Sequence, residues 1–286
     1  MEKNILNANV SIITTSIDRK DELHRFFQSI NRQKNIDLRS VQIIFVDQGD
    51  NSEIFNLLDD KINKIIIKSD KCSLSSARNM AIPYVKNAIV AFGDDDCWYE
   101  DDCLSKVYKR IINDGFDGVI AKSLDERGNL NVPSPNKLTK LSVYNHPGAI
   151  SYAIFLVFDK NIFFDENIGV GSPYGLSSGE ETDYLIEYLR RHQGVYFDNN
   201  IVVFHPYCKS TYFNDYFEKT YRYSKGMGYL LKKQRYPFRI ILRYIFRPLC
   251  GSVLYVIIGK TWYAKRSFCI LKGRLAGLMY KLNSIV

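Results

Sequence analysis

Short unbroken apolar runs alternate with polar, helix-spaced segments through the first 205 positions. Val10–Thr14 (VSIIT), Val41–Val46 (VQIIFV), Lys64–Ile67 (KIII) and Ala88–Phe92 (AIVAF) each read as a β-strand. Between them, Asp21–Gln33 places Leu23, Phe26, Phe27 and Ile30 on one helical face, and Ser75–Val85 forms a second helix. Strands that are apolar on both sides and separated by helices predict an α/β fold with a mostly parallel central sheet. Residues 115–150 are loop-rich, with Pro133, Pro135 and Pro147. Tyr152–Phe158 (YAIFLVF) is a further strand, 165–179 a glycine/serine loop, Glu180–His192 a helix, and Ile201–Phe204 a last strand stopping at His205-Pro206. No internal repeat or low-complexity tract interrupts the pattern.

Ligands of such sheets bind at the carboxyl ends of the strands. The polar clusters Thr15–Arg19, Asp47–Asp50 and Asp94–Asp96 lie at those ends. The last belongs to AFGDDDCWYEDD, which crowds acids against a buried strand. Two carboxylates about 6 Å apart repel by roughly 3 kcal/mol at an effective dielectric near 20. If the stretch stays extended, Asp94 and Asp96 point to the same side, roughly 6.5–7 Å apart. A hard divalent cation, Mn²⁺ or Mg²⁺, shared with a substrate diphosphate would remove the repulsion. Glu100–Asp102 have a simpler explanation, since acids suit the start of the next helix.

The segments VSIITTSIDR, IIFVDQGD, SLSSARNMAI, FGDDDCWY and GEETDYLIEYLRR, in this order over about residues 10–205, resemble the family-2 glycosyltransferases and their nucleotide-sugar-binding fold, GT-A. The resemblance implies transfer of a sugar, with inversion, from a nucleotide diphosphate donor (UDP-sugar favoured) to a hydroxyl of a glycan or polyprenyl-diphosphate-linked acceptor in surface polysaccharide synthesis. It assigns the nucleotide to Thr15, Ser16, Arg19, Asp47, Arg78, Asp94 and Asp95. Ile17 stands where relatives often place an aromatic against the base, and Asn79 follows Arg78 on the helix facing the nucleotide. The triplet matches D-x-D, with Asp96 and Asp94 as metal ligands and His205 as a further one. Trp98 falls on the acceptor side. Relatives carry Glu-Asp where this chain has Glu180-Glu181; Glu181 is then the general base, Glu180 an acceptor ligand and Asp183 the reserve base. Ser178-Gly179-Glu180-Glu181 also fits a capping box, which accounts for one of these acids but not three.

Charge divides the 286-residue chain. Residues 1–218 hold 24 Lys/Arg against all 31 Asp/Glu, a net −7, and the remaining 15 Lys/Arg lie beyond Glu218 with no acid among them. We therefore expect a GT-A catalytic domain over residues 1–211 and a cationic, amphipathic helical segment over 212–286. In the latter, Arg235, Arg239, Arg243 and Arg247 recur every four residues as one basic stripe, and the longest uncharged run, Pro248–Gly259, is 12 residues. That run is short of the roughly 20 needed to cross a bilayer. The segment fits a helix lying on an anionic membrane surface, a hairpin packed on the catalytic domain, or an oligomer contact. Six scattered cysteines and a start without a signal-peptide core fit a reducing cytoplasm, and with the cationic segment we expect a position peripheral at the inner face of the cell membrane.

Two other classes compete. A sugar nucleotidyltransferase needs a glycine-rich loop after the first strand, and TTSIDRKDEL has no glycine. A non-enzymatic basic membrane- or nucleic-acid-binding protein would explain the tail and leave the carboxylate cluster without a purpose. Nucleic acid is accordingly not an expected partner.

Overall fold

The computed structural model describes residues 9–207 and 215–281. The chain runs β1 (Val10–Ser16), α1 (Lys20–Asn31), β2 (Val41–Asp47), a short α2 (Ser52–Phe55), β3 (Asn63–Lys68), α3 (Leu74–Ala81), β4 (Ile89–Asp94), β5 (Trp98–Tyr99), α4 (Cys103–Tyr108), β6 (Gly118–Leu124), β7 (Thr139–Lys140), β8 (Ile154–Val157), α5 (Glu180–Arg191) and β9 (Val195–Phe204). Three long helices follow: α6 (Tyr216–Lys233), α7 (Phe238–Ile257) and α8 (Thr261–Met279).

Two compact units emerge. Among the described residues the first comprises 9–72, 76–164 and 184–207, and the second 73–75, 165–183 and 215–281. The sheet lies in the first, in the order β3-β2-β1-β4-β8-β6-β9-β5, with β7 beside β9. Strands β3, β2, β1 and β4 run parallel; β2, β1 and β4 are apolar and buried on both faces, while β3 is a partly exposed edge strand. The antiparallel β8 then joins β4 to β6, which pairs in parallel with β9. Strand register explains where the polar motifs meet. Ser16 lies opposite Asp47, and Thr15 lies opposite Asp94, so the loops leaving β1, β2 and β4 share one edge of the sheet. Gly93 is needed just before that edge, because a Cβ there would collide with the ring of Phe26.

In the second unit α6 and α8 cross at backbone distance. A Cβ on Gly228 would strike the carbonyl of Arg274, and one on Gly277 the carbonyl of Lys225. The 165–183 segment is tied to α6: Ser178 Oγ donates to the Tyr223 carbonyl at 2.7 Å, and Lys225 Nζ to the Tyr174 carbonyl at 2.7 Å.

Three expectations need correction. The prolines of the 115–150 stretch concealed a strand, β6, which is buried and central. Asp94 closes β4, and Asp95 and Asp96 enter a turn, so the triplet is not extended throughout. Arg235 sits in the left-handed turn between α6 and α7 (φ 51°), which leaves Arg239, Arg243 and Arg247 as the basic column of α7.

Candidate active site

The acidic triplet points its three carboxylates at three different sets of partners. Asp94 accepts from Arg78 Nη2 at 2.8 Å and from Ser151 Oγ at 3.2 Å. Asp95 turns back under β1, accepting from Ser16 Oγ at 2.7 Å and Arg19 Nη1 at 2.8 Å. Asp96 accepts from Arg19 Nη2 at 2.9 Å and lies 3.0 Å from His205 Nε2. Arg25 holds the turn itself, donating to the backbone carbonyl of Asp96 at 2.8 Å. Two of the protein's own cations, Arg19 and Arg78, thus balance much of this charge, and Asp96 lies against the imidazole of His205 as well. The repulsion read in the sequence does not by itself demand a metal.

Electrostatics separates the three acids. Burial pushes Asp96 up, but the His205 hydrogen bond and charge and the Arg19 contact outweigh it and hold the carboxyl at about 2. Burial dominates at Asp95, raised to about 6 against the pull of Ser16 and Arg19. Burial also raises Asp94, against the opposing charge of Arg78. At His205 burial lowers the imidazole, yet contact with Asp96 leaves it raised overall. Its ring stacks on Tyr152 at 4.7 Å, and Nδ1 lies 3.0 Å from the Pro206 carbonyl. A carbonyl can only accept, so Nδ1 carries a proton and Nε2 is the nitrogen offered to the site.

Ligand atoms of Asp94, Asp96 and His205 all fall within 4.8 Å of one another. Two hard oxygens and one imidazole suit Mn²⁺ or Mg²⁺. A second observation points the same way. Arg78 is 1% exposed, with its guanidinium 5.3 Å from the Phe164 ring centroid, and its Nη1 has no hydrogen-bond partner among the described residues. A buried donor left unmade is costly, and it fits an anionic ligand arriving beside Asp94. The residues present therefore fit a divalent cation together with a phosphate group.

The other expected residues fall in varied places. Thr15 is half-buried in β1 beside Asp94. Asp47 is fully buried and its carboxylate is already occupied: Gly49 N–H (3.1 Å), Asn51 N–H (3.1 Å), Asn51 Nδ2 (2.7 Å) and Lys68 Nζ (2.6 Å) all donate to it. Four bonds use its acceptor capacity, so direct pairing with a base N–H requires displacing one of them. Asp47 instead forms the floor of a cavity of about 560 Å³ with Gln48, Gly49, Lys68, Ser69 and Lys71. Asn79 clamps the backbone of Phe164 through both its amide atoms. Trp98 stacks on Phe204 at 5.4 Å and lies under the Arg25 guanidinium at 4.2 Å, so packing takes up the ring assigned to the acceptor.

In the second unit, Glu180 is buried and Glu181 half-exposed in the first turn of α5. Asp183 is not available as a reserve base. It is buried, and its two oxygens accept from Lys233 Nζ (2.8 Å) and Gln234 Nε2 (2.6 Å). Lys233 also bonds Asp165, so it serves two carboxylates at once. Ser151, Tyr152 and Arg25, which support the triplet and His205, carry no motif of their own. Only their nearness to the strand ends could have marked them.

Residues 11–169, more than half of the chain, match the family model described as glycosyl transferase family 2. The chain belongs to this family. It is a glycosyltransferase, and its fold is that of the GT-A enzymes. No curated protein matches the sequence. Among solved structures, S. aureus TarS superposes with TM-score 0.61 at 12% identity over 90% of this chain, which spans 54% of that longer protein. A TarS 1–349 structure in complex with UDP-GlcNAc gives TM-score 0.62 at 12% identity, covering 97% of this chain and 94% of the other. The mannosyltransferase PcManGT from Pyrobaculum calidifontis, in complex with GDP-Man and Mn²⁺, gives 0.61 at 10% identity, covering 95% and 87%. The family-2 glycosyltransferase described here shares an architecture with both.

Proposed function

We propose that this glycosyltransferase moves a sugar, with inversion, from a nucleoside diphosphate sugar to a hydroxyl of a glycan or lipid-linked acceptor in surface polysaccharide synthesis. A UDP-sugar is favoured, in keeping with the UDP-GlcNAc held by the TarS structure. The observation that carries the reading is the convergence of Asp94, Asp96 and His205 beside a buried Arg78 whose Nη1 has no partner among the described residues. Asp96, Asp94 and His205 would hold Mn²⁺ or Mg²⁺, and such a cation supplies Lewis-acid stabilisation of a leaving diphosphate. Arg78 presents a planar fork, one arm fixed on Asp94 and the other directed to a phosphate oxygen. Ser16 and Arg19 hold Asp95 at the nucleotide, Asp94 lies toward the ribose side, and the cavity over Asp47 takes the base. Glu181 removes the proton from the acceptor hydroxyl as general base, and Glu180 orients that hydroxyl. The motif order in the sequence supports these last two roles.

The test is a thermal-shift series with UDP, UDP-GlcNAc and GDP, each with and without Mn²⁺. A ligand at a hundred times its Kd stabilises the folded chain by about 2.7 kcal/mol. UDP is expected to raise the melting temperature strongly only with Mn²⁺, and Asp96→Ala to remove that Mn²⁺-dependent increment. Glu181→Gln should keep the increment and lose turnover. An Asp96→Ala chain that responds to UDP and Mn²⁺ as the parent does would overturn the site.

A further inference from the structure

Helix α7 has one more apolar face than its packing uses. At 3.6 residues per turn, Tyr244, Pro248, Gly251 and Tyr255 share one side, and that side meets α8. Arg274 Nη1 donates to the Tyr244 carbonyl at 2.6 Å, Gly251 lies against Ser267, and the Tyr255 ring sits 5.3 Å from that of Tyr263. Roughly opposite, Phe246, Leu249, Val253, Val256 and Ile257 recur at helical spacing as a second apolar stripe. All are exposed, Val253 at 54%, Val256 at 62% and Ile257 at 73%. With Ala264 and Phe268 of α8 the last three line a shallow groove of about 590 Å³, at which Lys265 is the one charged side chain, long enough to carry its ammonium to a head group.

Charge decides what covers this stripe. Arg239, Arg243 and Arg247 stand one above another along one of its edges, and Lys260 closes its far end. No acid follows Glu218, so a second copy of this chain docking on the same stripe would set two arginine columns together without a counter-ion. By length and composition α7 is also able to cross a membrane. Crossing would carry Arg243 and Arg247 into hydrocarbon, together with the Lys265 and Arg266 of the packed α8. A helix lying in the membrane plane meets neither penalty, since its apolar face enters the acyl region while bases at its border reach lipid phosphates. We propose that α7 is an interfacial helix whose Phe246–Ile257 stripe seats in one leaflet of an anionic bilayer, with Arg239, Arg243 and Arg247 among the head groups. This surface is independent of the donor and metal site.

The experiment is co-sedimentation of the full chain with phosphatidylglycerol/phosphatidylethanolamine vesicles and with pure phosphatidylcholine vesicles. Binding to the first and little to the second is expected. Replacing all three arginines by glutamine should weaken binding to the anionic vesicles by roughly a hundredfold, at about fivefold per cation lost. Val253→Asp with Ile257→Asp should abolish it while leaving the far-UV circular dichroism and melting temperature unchanged, because both side chains are exposed. Alkaline carbonate should release the bound protein, which a membrane-crossing helix would resist. Equal binding to both vesicle types, carbonate resistance, or unaltered binding by the aspartate variant would each overturn the proposal. A lipid-free dimer that Val253→Asp dissociates would assign the stripe to a second copy instead.

Discussion

Arg19 reaches two carboxylates of one turn with two different nitrogens, and Arg78 reaches the third from a buried helix. The acids of the triplet were legible in the sequence because they sit at a strand end. Their partners were not, because Arg19 lies 76 and 77 positions away and only the β1–β4 register brings it close. Asp47 teaches the same lesson in reverse. The family resemblance marked this last residue of β2 as a nucleotide contact, while its four internal bonds make it the keystone of its own turn. Burial pushes Asp47 up, but the bonds from Lys68, Asn51 and Gly49 outweigh it and leave the carboxyl below its usual range. The sign follows from linkage. The stability Asp47 contributes is complete above its unfolded value of about 3.9 and is withdrawn as pH falls through the lower native value. Asp47→Asn should therefore cost about 1–3 kcal/mol at pH 7. In urea titrations the gap between parent and variant should narrow as pH falls below the unfolded value of about 3.9. A gap that is constant or widens on acidification would contradict this account of the carboxylate.

Among the elements, β1, β2 and β4 were readable as unbroken apolar runs, α1 by its apolar face, and α5 by the Ser178 and Gly194 that bound it. Strand β6 was not, because its polar Lys122 and Ser123 and the prolines downstream imitate a loop. The three C-terminal helices were readable only as a basic, apolar segment; what separates them is the left-handed turn at Arg235 and the break at Gly259. Their packing turns on glycines that composition alone makes look like helix breakers. Gly277 is the sharpest case. In an ordinary helix interior, Gly→Ala stabilises by about 1 kcal/mol. Here the new methyl would meet the Lys225 carbonyl, a backbone atom that cannot swing aside. Gly277→Ala should instead destabilise, by about 1–3 kcal/mol, through forced separation of α6 and α8. Equilibrium unfolding in guanidinium decides the sign, and a stabilised variant would mean that the two helices do not approach as described.

At the scale of the whole molecule, the change in composition near residue 212 marks a natural place to divide the chain, but the physical grouping of residues is different. The 165–183 segment shares its unit with α6, α7 and α8, and its last residue, Asp183, pairs with Lys233 at the end of α6 and accepts a hydrogen bond from Gln234 just after it. A chain ending at residue 211 would lose Lys233 and Gln234 together. Asp183 and Asp165 would then lack the cation they share, and removing one side of a buried ion pair costs about 3–5 kcal/mol. Such a loss is a large share of the 5–15 kcal/mol that holds an ordinary domain folded. We expect residues 1–211 alone to aggregate or to be cleaved rapidly by protease within 165–183, where the full chain resists. Asp183→Asn, which removes the stranded charge but keeps the shape, should recover part of the resistance in the truncated chain. In the full chain the same substitution should lower stability, since there the carboxylate has its partners. This opposite response to one mutation separates loss of a specific ion pair from a general loss of covering surface. A truncated chain with the parent's melting temperature, or one indifferent to Asp183→Asn, would show that the helices contribute nothing through this cluster.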